Sequence, residues 1–262
     1  MRNSPPLLLF GTESCIINVR IGAGSGKEGF PRESRECYLM YRYLLFDLDG
    51  TLTDPAEGIT KCVAYALKHF GVDAAPDTLK SFIGPPLLDQ FMAYAGFDRE
   101  TAAAAVEKYR ERFRETGIFE NRVLDGIPAL LKTLCEKGYV LCIASSKPEV
   151  FVNRILEKYG LAQYFCEVVG SELDGRRSAK CEVIEETLRR LGERYPTEDF
   201  SDRRHCLMIG DRIHDMEGAE KCRMDALGVT FGYAAAGELE HSSAAGIASS
   251  ADEILAFVGA MA

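Results

Sequence analysis

The 262-residue chain has no apolar stretch approaching the ~20 residues that a membrane-spanning helix requires, so no membrane segment is expected. Its nine cysteines are odd in number and never spaced as Cys-x-x-Cys. That argues against a disulfide framework or a cysteine zinc site and for a reducing cytoplasm. The four histidines, His69, His205, His214 and His241, do not pair at ligand spacing, and His214 reads as a helix-start residue. No basic block carries interleaved aromatics, and the net charge is −9, so nucleic acid is not an expected partner. A small anion remains compatible where a metal and one or two lysines reverse the local field. What is present is ordinary globular material, 47% hydrophobic and 27% charged, enough for one domain with an insertion or two modest domains.

The stretch Tyr43-Leu44-Leu45-Phe46-Asp47-Leu48-Asp49-Gly50 is the informative one. An apolar run of β type reads as a strand covered on both faces, as in parallel sheets, and such sheets bind ligands beyond the carboxyl ends of their strands. Asp47 and Asp49 stand at that end, two residues apart, and so face one small volume. Two close carboxylates repel unless a cation or shared proton lies between them, and Mg²⁺ is the natural hard cation for oxygen donors. Asp-Gly alone is a common turn dipeptide. A calcium loop is excluded, because Thr51 occupies its third acid position and Leu52 its glycine position.

From Asp54 to Gly126 the pattern is helical: Ile59, Val63, Ala66, Leu67 and Phe70 form one stripe, Leu87, Leu88, Phe91 and Met92 a second, and Ala102 to Phe113 a third. Phe82-Ile83-Gly84-Pro85-Pro86 between them is a stiff apolar turn, either a loop reaching a site or a plain connection. After Gly126 helix and strand alternate, with strands expected at 139–144, 167–170, 206–209, 226–231 and 246–248. This predicts an α/β fold, a doubly wound, mostly parallel sheet with an inserted helical cap. The expected division is a core of 40–54 and 126–262, a cap of 55–125, and a peripheral extension of 1–39.

The same event, an apolar strand ending in polar residues, recurs twice. Leu141 to Ala144 runs into Ser145-Ser146-Lys147, and Cys206 to Ile209 into Gly210-Asp211-Arg212-Ile213-His214-Asp215. In a parallel sheet these ends share one edge, so Asp47, Asp49, Asp211 and Asp215 form an acidic cluster suited to a divalent metal, with Ser145 able to bind a phosphoryl oxygen. Each residue alone is equally a turn or helix cap.

Asp47-Leu48-Asp49-Gly50-Thr51-Leu52-Thr53-Asp54, Ser145, Lys180 and Gly210-Asp211-x-x-x-Asp215 resemble the four motifs of the haloacid dehalogenase-like hydrolases, over residue 40 to the C-terminus. The insertion resembles the cap of the phosphoglycolate phosphatase-like group, and Phe82 to Leu87 and Gly170 to Gly175 are similar to phosphoglycolate phosphatases and 5′-nucleotidase-like proteins. The resemblance implies Asp47 as nucleophile and Asp49 as acid and base. It implies Mg²⁺ on the Asp47 carboxylate, the Asp49 carbonyl, Asp211 and Asp215. Ser145 and Lys180 would orient the transferring group, with Lys147 as a nearby competitor for the lysine role. Ser146 departs from the asparagine of many relatives. An acid at Asp49 implies phosphomonoester hydrolysis or phosphomutase chemistry on a small phosphorylated metabolite, either a two- or three-carbon phosphate or a nucleoside monophosphate. A sugar phosphomutase is the alternative of the same fold. A phosphorylation-dependent receiver module is the alternative from another class, although receivers need neither a second acid nor a cap.

Residues 1–39 carry Pro5-Pro6 and a glycine-rich patch from Gly22 to Gly29. Leu7 to Phe10 falls short of the ~7–15 apolar residues of a signal peptide. Gly24-x-Gly26-x-x-Gly29 matches a dinucleotide fingerprint only as a string, since Phe30-Pro31-Arg32 does not open a helix and no βαβ unit follows. Walker A fails as well, with Glu28 after Lys27 and Ile21 in place of its first glycine. The composition break makes Met40 the expected initiator. Intact mass spectrometry of protein from the native host should give a chain starting there, and a mature chain carrying residues 1–39 would refute it.

Overall fold

The computed structural model describes residues 41–260. The expectations for the first 39 residues and Met40 lie outside the described residues. β1 (Tyr43–Phe46) leads through a tight loop to β2 (Thr53–Asp54). Three helices follow, α1 (Ala56–His69), α2 (Leu87–Ala95) and α3 (Arg99–Glu115), before β3 (Arg122–Val123). The chain then alternates through α4 (Ile127–Glu136), β4 (Val140–Pro148), α5 (Glu149–Lys158), β5 (Glu167–Ser171), α6 (Lys180–Arg194), β6 (Cys206–Gly210) and α7 (Ile213–Lys221). It closes with β7 (Asp225–Val229), β8 (Gly246–Ala248) and α8 (Ala251–Ala260).

The six-stranded sheet has the order β5-β4-β1-β6-β7-β8, and every pairing in it is parallel. The alternation of each strand sorts its residues between two cores. Leu44, Phe46, Leu141, Ile143, Leu207 and Ile209 face one, which α4, α5 and α8 cover. Tyr43, Leu45, Cys142, Ala144, Cys206 and Met208 face the other, under α6 and α7. With no polar face, β1 is stable only in the middle of the sheet and between two helix layers. Each buried Leu or Ile there contributes roughly 1.5–3 kcal/mol relative to exposure. The chain builds outward from β1 to β4 and β5 and then returns to place β6 on the other side of β1. That reversal is a topological switch point, and it opens a crevice beyond the strand ends.

The helical insertion leaves and re-enters the core through β2 and β3, which pair antiparallel with Thr53 opposite Val123 and Asp54 opposite Arg122. The Arg122 guanidinium donates to Asp54 at 2.8 and 3.1 Å, closing this neck. Within the cap, α1 and the turn that follows α3 approach closely because Gly58 and Gly117 lack side chains: a Cβ on Gly58 would lie 2.0 Å from the Gly117 carbonyl oxygen. Asp98 caps α3 by accepting from the Thr101 N–H at 2.8 Å, and Gly96, at φ 67°, ends α2. The cap and core share one apolar cluster, with the Phe113 ring 5.3 Å from that of Phe151 on α5.

Two strands differ from expectation: β7 spans Asp225–Val229 and stops short of the expected 231, and β4 runs longer than expected. β4 continues beyond Ala144 to Pro148, because Pro148 pairs with Ser171 after a register shift. The polar run Ser145-Ser146-Lys147 occupies the irregular stretch between the Ala144–Val169 and Pro148–Ser171 pairings, which anchor it to β5 at both ends. Leu45 is fully buried at the centre of this architecture. Leu45→Ala should destabilise the fold by about 2–5 kcal/mol, read as a lower urea midpoint at unchanged slope.

Candidate active site

After Phe46 the chain leaves β1 but stays tied to the sheet, with the Asp47 N–H donating to the Ile209 carbonyl at 2.9 Å. Gly50, at φ 84°, turns the loop back, and the N–H groups of Thr51, Leu52 and Thr53 all converge on the Leu48 carbonyl at 2.9–3.3 Å. This loop presents Asp47 and Asp49 to one side of the crevice. β6 delivers Asp211 in the same manner, and the first turn of α7 delivers Asp215, whose Oδ2 accepts from the Arg212 N–H at 3.1 Å. One carboxylate oxygen from each of Asp47, Asp211 and Asp215 lies within 4.8 Å of the others.

Glycines make this proximity possible. A Cβ on Gly50 would lie 2.1 Å from Asp211 Oδ2, one on Gly232 2.3 Å from the same atom, and one on Gly210 2.2 Å from Asp215 Cγ. Asp211 is held between two bare backbone segments, accepting from the Tyr233 N–H at 2.7 Å and from the Thr51 hydroxyl at 3.5 Å, the far edge of hydrogen-bond range. Burial, together with Asp215 and Asp47 nearby, pushes its carboxyl well above the usual range, against the pull of the Tyr233 N–H.

Lys180 opens α6, where Glu182 Oε2 accepts from the Ala179 N–H at 3.3 Å. Its ammonium donates to Asp47 Oδ1 at 2.8 Å and to the Ala144 carbonyl at 2.9 Å, and lies 2.8 Å from Asp215 Oδ1 as an ion pair. Burial alone would depress this lysine, but Asp215 and Asp47 outweigh it and hold the ammonium above its usual value. Lys147 takes a different acid. It pairs with Asp49 Oδ2 and lies over the Phe113 ring at 5.2 Å from the centroid, so one ammonium touches both the loop after β1 and the cap. Burial raises the Asp49 carboxyl, with Lys147 opposing, and its other oxygen, Oδ1, has no hydrogen-bond partner. Ser145, almost wholly buried at the end of the apolar part of β4, accepts from the Lys147 N–H at 3.3 Å.

Above this floor is a cavity of about 710 Å³, lined below by Asp47, Asp49, Ser145, Lys147 and Lys180. The cap contributes Tyr109, Phe113, Arg99 and Arg110, and Phe82, Gly84 and Pro85 supply the apolar turn, which therefore reaches the site. Ile83 does so only through its carbonyl, which accepts from Arg212 Nη1 at 2.9 Å while Arg212 Nε donates to Glu238 at 2.8 Å. His214 lies exposed on the first turn of α7 at the cavity edge, as a helix-start residue.

Each residue singled out from the sequence lies at this one place: Asp47, Asp49, Ser145, Lys180, Asp211 and Asp215. The Asp49 carboxylate, however, turns to Lys147 and stands apart from the other three acids. The sequence reading missed Tyr233, which donates to Asp54 through its hydroxyl and to Asp211 through its N–H, and the Arg212–Glu238 pair. It also missed Arg99 and Arg110, whose spacing in an amphipathic helix gives no hint of a cavity. The donor set of Asp47, Asp211 and Asp215 suits a hard divalent cation: all oxygen, largely buried, and with a single lysine against three carboxylates.

The profile of the haloacid dehalogenase-like hydrolases matches residues 44–229. The chain belongs to that family. It is similar to a 5′-nucleotidase of Pseudomonas aeruginosa, 48% identical over 207 residues that cover 78% of this chain and 90% of that protein. It is also similar to tyrosine-protein kinase PtkA of Mycobacterium tuberculosis, 36% identical over 76% of this chain and 66% of that protein. A crystal structure of a predicted phosphatase from Clostridium acetobutylicum superimposes with a TM-score of 0.78 at 45% identity, covering 84% of this chain and 99% of that one. The chain is a phosphoric monoester hydrolase of this family.

Gly218, in the middle of α7, faces the Lys180 stem: a Cβ there would lie 2.6 Å from Lys180 Cγ and 3.2 Å from the Cys181 nitrogen. Neither atom can swing aside freely, so Gly218→Ala should displace the ammonium and lower kcat by about tenfold or more, a loss of at least ~1.4 kcal/mol in transition-state stabilisation. Steady-state kinetics with a generic aryl phosphate would measure it.

Proposed function

We propose that the protein hydrolyses a small phosphomonoester with Mg²⁺ through an aspartyl-phosphate on Asp47. One observation carries this reading: Asp47, Asp215 and Lys180 meet at the cavity floor, with Asp211 buried against the two acids and a separate carboxyl, Asp49, beside them. Asp47 Oδ attacks phosphorus and the bond to the ester oxygen breaks. Asp49 gives that departing oxygen a proton and afterwards removes one from the water that cleaves the acyl phosphate, releasing inorganic phosphate and restoring both carboxyls. Burial favours the neutral form of Asp49, the form required of an acid in the first step. The Lys180 ammonium and the Ser145 hydroxyl hold and neutralise the transferring oxygens, where charge stabilisation and positioning dominate phosphoryl transfer. Asp47, Asp211 and Asp215, with the Asp49 carbonyl, would hold Mg²⁺, which supplies positive charge against the phosphoryl oxygens.

The cavity, closed by the apolar turn and by Arg99 and Arg110, accommodates a leaving group the size of a short acid or a nucleoside. The similarity to a 5′-nucleotidase favours nucleoside monophosphates for the first screen. Phosphate release without a nucleoside triphosphate also separates this reading from a kinase activity. Asp47→Asn should abolish turnover, by about 10³-fold or more, and Asp49→Asn should lower kcat by roughly 10²–10⁴-fold. Chelation should silence the wild type until Mg²⁺ is returned. Full turnover by Asp47→Asn, or undiminished activity in chelator, would overturn the proposal.

A further inference from the structure

Two thiols beneath the catalytic edge belong to no part of this chemistry. Cys142 sits within β4, fully buried in the core under α6. Cys166 stands one residue before β5 and is partly exposed. The Cys166 N–H donates to the Leu141 carbonyl at 2.9 Å, which fixes the two backbones side by side. Because Cys166 precedes the regular strand, its side chain is not bound to strand alternation, and its sulfur lies 3.5 Å from Cys142 Sγ. Both are free thiols.

We propose that Cys142 and Cys166 are a redox modification site, a dithiol that a hydroperoxide converts reversibly to a disulfide linking β4 to β5. A disulfide needs its sulfurs about 2.05 Å apart, so closure by roughly 1.5 Å suffices, a movement that side-chain torsions can supply. The two thiols divide the work. Contact with Cys142 holds the Cys166 thiol below its usual range, against burial and assisted by the Arg194 charge and Tyr195. Burial holds Cys142 well above, as a neutral thiol. Cys166, the partly exposed member, is therefore the nucleophile and the buried Cys142 the resolving group.

The Cys166 thiolate attacks one peroxide oxygen, the O–O bond breaks, and the departing hydroxide or alkoxide takes up a proton as water or alcohol. Cys166 is now a sulfenic acid, oxidised by two electrons. Cys142 sulfur then attacks Cys166 sulfur, the S–O bond breaks, and the Cys142 proton leaves with the hydroxide as water. Two thiols have supplied the two electrons that reduced one peroxide. A dithiol such as dithiothreitol reverses the link by exchange.

The test treats the full chain with hydrogen peroxide, quenches free thiols with an alkylating agent, and maps the peptides by mass. A Cys142–Cys166 cross-linked peptide, lost on treatment with dithiothreitol, is the expected result, with two of the nine thiols per chain consumed at that site. Cys166→Ser should leave Cys142 unmodified, and Cys142→Ser should leave Cys166 to proceed to sulfinic acid. An unlinked Cys166 in the treated wild type, whether unreacted or overoxidised, would overturn the proposal. The readout is a covalent bond in the unmutated protein, so it holds whether or not the phosphatase mechanism does.

Discussion

Mutual repulsion among Asp47, Asp211 and Asp215 is the constraint around which the rest of the molecule is arranged. Three carboxylates with oxygens within 4.8 Å of one another, in surroundings poor in water, oppose folding unless positive charge joins them. Lys180 supplies part of it, and the Tyr233 N–H part of the rest. The parallel sheet supplies the rigidity, since β1 and β6 are adjacent and buried on both faces, and their ends cannot drift apart to relieve the repulsion. Gly50, Gly210 and Gly232 allow the approach, because any side chain there would occupy the space of a carboxylate. Stability is thus given up locally at the place where binding charge is useful, and the buried strands to either side compensate.

Much of this was legible from the sequence because it rests on local pattern. An apolar run that ends in Asp-x-Asp, or in Gly-Asp, marks both a strand and its carboxyl end, and alternation with helical stripes fixes the parallel topology. The motif residues carry their chemistry in their identity, so Asp47, Asp49, Ser145, Lys180, Asp211 and Asp215 could be named before any coordinates. Other parts depend on contacts between distant segments. Tyr233 meets Asp54 across 179 residues, and Arg212 meets Ile83 across 129, distances over which periodicity carries no information. Gly218 lay between the two cases: glycine inside a helix is costly and asks for a packing reason, but only the fold shows that the reason is the stem of Lys180. The extension of β4 was hidden for a simpler reason, since Ser145-Ser146-Lys147 is polar and the strand resumes only where Pro148 pairs with Ser171 of β5, after a register shift.

The division between Lys147 and Lys180 also follows from topology. Lys180 comes from a helix on the α6–α7 face and reaches Asp47 and Asp215 from beneath. Lys147 comes from the end of β4 and reaches Asp49 and the Phe113 ring from the cap side. Lys180, which the sequence assigned to the transferring group, and its competitor Lys147 hold different carboxyls because different layers of the fold present them.

The two-residue ladder of β2 and β3 gives the insertion neighbouring points of departure and return. An excursion whose ends already touch can be lengthened, trimmed or exchanged for another without shifting the register of a single strand in the main sheet. Descendants of such a chain are free to try new lids over an unchanged hearth, so selectivity and reactivity can be inherited separately.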